Sequence, residues 1–155
     1  MAGRVAAKLA ELGIQIPVAQ PPLAAYVPFA VSGKLVVVSG QLPMQDGKLA
    51  VSGKLGDTVT VEQGHHAARL CLLNVLAHLH TATEGDLDRV ARIVRLGGFV
   101  ACAAGFTQHP AVINGASELA VQIFGDAGRH ARAAVGVASL PLDAAVELEA
   151  IVELT

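Results

Sequence analysis

The sequence predicts a single α+β domain. Apolar residues recur at helical spacing in some segments and alternate with a period of two in others, and the 155 residues suffice for one sizeable core. The expected order is helix, two strands, helix, strand, helix, two strands, all within one unit spanning residues 1–155. Residues 1–25 form an N-terminal extension and residues 26–155 the core.

Val5, Leu9 and Leu12 outline a short amphipathic helix ending at Gly13. Pro17, Pro21, Pro22 and Pro28 then dictate an extended connection. Val27–Val31 and Leu35–Ser39 read as a hairpin closed by Ser32, Gly33 and Lys34, and Asp46-Gly47 marks a second turn. Thr60 followed by Gln63 has the form of a capping box, and Ala68, Leu72, Val75, Leu76 and Leu79 give its helix an apolar face up to about Gly85. Arg89–Cys102 is rich in Val, Ile and Leu and reads as a strand, with a bulge expected at Gly97-Gly98. Pro110 suits a first helical turn, and Val112, Ala116, Leu119, Ala120 and Ile123 supply the next buried face, stopping at Gly125. Ala131–Ala138 and Ala145–Leu154 are expected to pair through the turn Leu140-Pro141-Leu142-Asp143.

Composition excludes several classes. Hydrophobic residues make up 53% and charged residues 15%, the reverse of a disordered chain. A net charge of −2 and 3% aromatic residues argue against a nucleic-acid surface. No apolar run approaches the length of a membrane span or a signal peptide, so a cytoplasmic location is expected. Cys71 and Cys102 fit no metal-ligand spacing and read as buried thiols. So few charges also suggest that another subunit covers part of the surface.

Candidate chemistry concentrates in the last two strands. Val146, Leu148, Ala150, Val152 and Leu154 alternate with Glu147, Glu149, Ile151 and Glu153. If Val137 faces Val146, Arg132 lies on the glutamate side among small residues. There it serves either as a cross-strand ion pair or as a two-bond clamp for a carboxylate. The pairs His65-His66 and His78-x-His80 point to different helix faces and read as exposed histidines. His130 sits two residues before Arg132 and reads either as a cleft-mouth group that titrates near neutral pH or as a plain turn residue. Asp86 and Asp88 mark the helix-to-strand connection.

Three motifs in order resemble the YjgF/RidA family of reactive intermediate deaminases, formerly described as endoribonuclease L-PSP. These are Ser39-Gly40-Gln41-Leu42-Pro43, Val112-Ile113-Asn114-Gly115, and Ala131-Arg132-Ala133-Ala134-Val135 with Leu140-Pro141 and Val146-Glu147-Leu148-Glu149-Ala150. The resemblance runs from about Tyr26 to the C-terminus. It implies a chorismate-mutase-like fold, a sheet packed by two helices, assembled as a homotrimer with clefts between subunits. It implies hydrolysis of 2-imino or enamine acids to 2-keto acids and ammonia, without metal or organic cofactor. In these roles Arg132 holds the substrate carboxylate and Glu147 places water and moves protons. Tyr26 and Asn114 are cleft residues, and at Gly40 the backbone approaches the ligand. The sequence departs from the family where Ala134 stands in place of a cysteine carried by many members, and in its N-terminal extension. Those departures leave a non-catalytic carboxylate-binding or protein-stabilising module as the alternative. The expected partners are a small imino or keto acid and further copies of the chain, with neither nucleic acid nor membrane.

Overall fold

The computed structural model describes residues 3–22 and 24–155. Helix α1 spans Arg4–Glu11, one residue short of the last apolar position of its pattern. Its first two free amides, those of Arg4 and Val5, donate to the Asp88 carboxylate at 2.8 Å each. A residue 84 positions away thus supplies the cap that the local sequence lacks. Asp86 caps the short turn Leu87–Arg89 by accepting from the Asp88 amide. Each acid of the Asp86/Asp88 pair therefore terminates a helix.

Strands β1 (Phe29–Ser32) and β2 (Leu35–Gln41) form the expected hairpin. A second small hairpin, β3 (Met44–Gln45) and β4 (Lys48–Leu49), turns on Asp46 and Gly47, both with positive φ. That is the Asp-Gly two-residue turn. Helix α2 (Val61–Ala82) opens on a complete capping box: Thr60 accepts from the Gln63 amide, and the Gln63 side chain accepts from the Thr60 amide. Strand β5 (Val90–Ala101), helix α3 (His109–Phe124), strand β6 (Ala131–Val137) and strand β7 (Val146–Leu154) complete the order.

The five main strands lie in the order β1-β2-β7-β5-β6. Two expectations are corrected here. Strands β6 and β7 do not pair: β5 lies between them, parallel to β6 and antiparallel to β7. The cause is α3, which returns the chain so that β5-α3-β6 forms a parallel crossover unit at the sheet edge. The segment after β6 then passes over the end of β5, where the amides of Ala101 and the following Cys102 donate to the carbonyls of Ala145 and Val137. Nor is there a bulge at Gly97-Gly98, where pairing is regular on both sides; the irregularities fall between Val90 and Arg92 and between Ile93 and Arg95. Gly98 has a packing reason instead, because a Cβ there would meet the Ile113 side chain at 2.6 Å.

Both long helices cover one face of the sheet. Val36, Val38, Ile93, Leu96, Leu148 and Val152 point into that layer and are buried against Leu72, Leu76 and Leu119. Among the described residues the opposite face carries no helix, and Val37 and Val135 are 42% and 46% exposed there. Among the described residues no helix is long and apolar enough to cross a membrane.

Candidate functional site

The strand order decides where Arg132 points. Arg132 pairs with Leu96, which pairs with Ala150, and both neighbours are buried beneath the helices. Its guanidinium therefore lies on the helix-covered side, where Nη1 donates to Asn114 Oδ1 at 2.7 Å and to Ser117 Oγ at 3.1 Å. Glu147 and Glu149 alternate with the buried residues of β7 and occupy the opposite face. This corrects the expected sharing of one face by Arg132 and the glutamates. The error follows from the assumed pairing of β6 with β7, since inserting β5 changes which residues stand in line.

Arg132 makes no ion pair with any described residue; the pairs present are Lys8–Glu11, His65–Glu118 and Arg129–Asp126. A half-buried guanidinium whose partners are neutral amide and hydroxyl oxygens keeps a full positive charge available to an anion. That removes the cross-strand ion pair as an account of this residue.

Glu147 belongs to a second cluster. It pairs with Phe99 on β5, three positions along from Leu96, and its carboxylate lies against Gly40 of β2. A side chain at position 40 would collide with that carboxylate, so the glycine provides the space in which Glu147 sits. Burial pushes the Glu147 carboxyl above its usual value, and the neighbouring Glu149 charge adds to the shift. Such a group holds its proton to higher pH than an ordinary glutamate.

Gly40 also borders a cavity of about 170 Å³, together with Tyr26, Gln41, Met44, His78 and Leu142. Tyr26, half exposed, comes from the proline-rich connection. The Asn74 side chain fixes another wall by donating to the carbonyls of Leu42 and Met44 at 3.0 Å each. His78, expected to be exposed, is 3% exposed, and burial holds its imidazole below the usual value. Its ring lines the cavity. Asn74 and His78 stand at i and i+4 inside an apolar helix, and that pair of polar residues on one stripe was the available signal. His80 is exposed as expected.

The candidate residues thus fall into two groups. Arg132 and Asn114 meet at the β6 edge, with Ser117 and His130 beside them. Gly40 and Glu147 meet between β2 and β7, with Tyr26 close by across the cavity. Two strands' breadth and opposite faces separate Arg132 from Glu147 within one chain. Among the described residues no three His, Cys, Asp or Glu are grouped to hold a metal ion. Cys71 is buried, which raises its thiol well above the ordinary range, with a further contribution from the Glu147 charge. Cys102 is only half-buried, and its Sγ lies 3.6 Å from His109 Nε2.

Comparison with known proteins agrees with this architecture. Protein TCP17 of Trypanosoma cruzi is 50% identical over 153 residues, covering 98% of this chain and 95% of that protein. The crystal structure of Atu1372, a protein of unknown function from Agrobacterium tumefaciens, is 50% identical with a TM-score of 0.92, over 98% of this chain and 93% of that one. Escherichia coli TdcF, crystallised with bound serine, is 27% identical with a TM-score of 0.61, over 88% and 94% of the two chains. The family described as "YjgF/chorismate mutase-like, putative endoribonuclease" matches residues 6–154. With its sheet, its helix layer and nearly its whole length in agreement, the chain belongs to the YjgF/chorismate mutase-like family.

Proposed function

We propose that the protein hydrolyses reactive 2-imino and enamine acids to 2-keto acids and ammonia, in clefts formed where three copies associate. The observation that carries this reading is Arg132, a half-buried guanidinium whose partners among the described residues are all neutral. Such a group suits an anion that no described residue supplies. TdcF, a relative with serine bound, offers a parallel for a small carboxylate ligand. A cleft between copies is supported by the apolar open face of the sheet and by the distance between the two residue groups. Apposing the β6 edge of one copy to the Gly40–Glu147 region of the next would complete a site.

The chemistry suits these residues. Arg132 fixes the substrate carboxylate and so positions the imine carbon. Water adds to that carbon, forming a C–O bond as the C=N π electrons move to nitrogen. Glu147, kept protonated to higher pH by burial, gives a proton to nitrogen and recovers one from the attacking water. In the resulting carbinolamine Glu147 passes a second proton to nitrogen and takes the hydroxyl proton, so that the C=O bond forms as the C–N bond breaks and ammonia leaves. Tyr26 and Asn114 hydrogen-bond the substrate. An RNA substrate is disfavoured by the net charge of −2 and by aromatic residues at 3%.

The test is turnover of an imino acid released in situ from an amino acid by an oxidase. The protein should accelerate keto-acid formation, and Glu147→Gln should lose roughly 10²–10⁴-fold while still binding the keto acid. Binding without turnover in the wild type would instead assign the chain to the non-catalytic alternative.

A further inference from the structure

A chain of hydrogen bonds runs from the Gly128 backbone to Arg132 through two side chains that imine hydrolysis leaves unused. His130 Nδ1 lies 2.6 Å from the Gly128 carbonyl oxygen, which only accepts, so Nδ1 carries the hydrogen. In the neutral ring Nε2 is then an acceptor, and it takes the Ser117 hydroxyl hydrogen at 2.8 Å. Ser117 Oγ accepts from Arg132 Nη1 at 3.1 Å, and the same Nη1 donates to Asn114 at 2.7 Å. The direction of every bond is fixed, and the serine has no hydrogen to spare.

One proton reverses one link. An imidazolium carries hydrogens on both nitrogens, so Nδ1 keeps Gly128 while Nε2 becomes a donor. Ser117 Oγ has two lone pairs and can accept from His130 and Arg132 together. Its own hydrogen is then released beside the guanidinium, whose Nη2 and Nε make no hydrogen bond among the described residues. Arg132 and Ser117 are each only half-buried, and Ser117 and His130 border an open surface depression of about 550 Å³.

The other charged groups around His130 are already engaged. Glu118 of α3 holds His65 of α2 at 3.3 Å. Asp126 and Arg129, from the turn before β6, hold each other at 3.3 Å. Arg132 of β6 supplies the remaining charge, and no carboxylate bonds His130 among the described residues.

We propose that Ser117 is a direct ligand of the small carboxylate held by Arg132, and that His130 is its proton switch. Anion binding is thereby coupled to uptake of a proton by His130. The proposal rests on Arg132 being the carboxylate anchor. Linkage makes the effect reciprocal: the proton strengthens anion binding by the same factor that the anion strengthens proton binding.

The experiment is calorimetric titration of pyruvate into the full-length chain, in buffers of different ionisation heat, at about pH 5.5 and about pH 8, the interval in which imidazole changes charge. Wild type should bind roughly tenfold tighter at the lower pH, the worth of one added hydrogen bond to a charged group, with net proton uptake. His130→Gln and Ser117→Ala should lose the pH dependence, while Ser117→Thr, which keeps the hydroxyl, retains it. His65→Gln should retain it as well. Full pH dependence in His130→Gln, or its loss in His65→Gln, overturns the proposal. Wild-type binding at both pH values with no difference overturns it too. Absence of any wild-type binding overturns the anchor reading of Arg132 itself, a distinguishable result.

Discussion

Replacing Arg132 with Ala and, separately, with Lys tests the anchor most directly. Nη1 is committed to Asn114 and Ser117, which leaves Nη2 and Nε for a carboxylate. Two charge-assisted bonds at about 1.5–3 kcal/mol each would total about 3–6 kcal/mol, and partial exposure favours the lower end. A loss of about 3 kcal/mol is roughly 10²-fold in kcat/KM for Arg132→Ala. Lysine keeps the charge but not the fork, so Arg132→Lys should lose about tenfold, one bond's share. Stability should change little. Asn114 is half-buried and open to water, and Ser117 keeps its bond to His130, so the cost is about 1 kcal/mol. At this chain length that is a fall in Tm of about 2–4 °C. The assay pairs keto-acid release from an in situ imine with a thermal melt of each variant. Activity within twofold of wild type in both variants would refute the anchor. A collapse in Tm with proportionate loss of activity would show a structural arginine instead.

Three further outcomes follow from the packing and the ionisation. In Gly115→Ala the new Cβ would land on the His65 carbonyl oxygen where α3 crosses α2. Overpacking of about 1–3 kcal/mol, offset by up to about 1 kcal/mol of helix propensity, should lower Tm by several degrees; an unchanged melt would contradict the crossing geometry. Because the folded Glu147 carboxyl is raised by burial first and Glu149 second, its ionised form costs stability as pH rises above the ordinary glutamate range. Glu147→Gln should therefore melt higher than wild type at neutral pH, with the difference vanishing in acid, and a lower neutral Tm would reverse that sign. Asp88 is held below the usual aspartate value by the amides of Val5 and Arg4, so its contribution is present above that value and lost as pH falls through the depressed one. Asp88→Ala should speed amide exchange across residues 4–11 at neutral pH, as acid does in the wild type; equal protection would exclude the cap.

Much of the fold was legible because local signals carry it. The Thr60–Gln63 box, the Asp46-Gly47 turn and the apolar stripes of α2 and α3 are each encoded within a few residues. The strand order was not, because a short connection between Ala138 and Ala145 suggests a hairpin. The competing cue was β5-α3-β6, a strand-helix-strand run that calls for a parallel pair. Missing it placed Arg132 on the wrong face. The motifs naming Arg132, Asn114 and Gly40 are independent of that error, since they rest on residue identity and not on register. His78 was missed because a histidine in an amphipathic helix is read as exposed, and only the loop held by Asn74 shows what it faces. The cap of α1 by Asp88 lies beyond any local window.

The separation of Arg132 from Glu147 has a genetic counterpart. Under the proposed assembly, each working site borrows one half from each of two copies. An allele lacking Arg132 and an allele lacking Glu147 are then both inactive alone, yet they can complement when expressed together. Random mixing at equal dose would restore about a quarter of the sites, those that draw both halves from unaltered surfaces. Two alleles damaged in the same half would restore none.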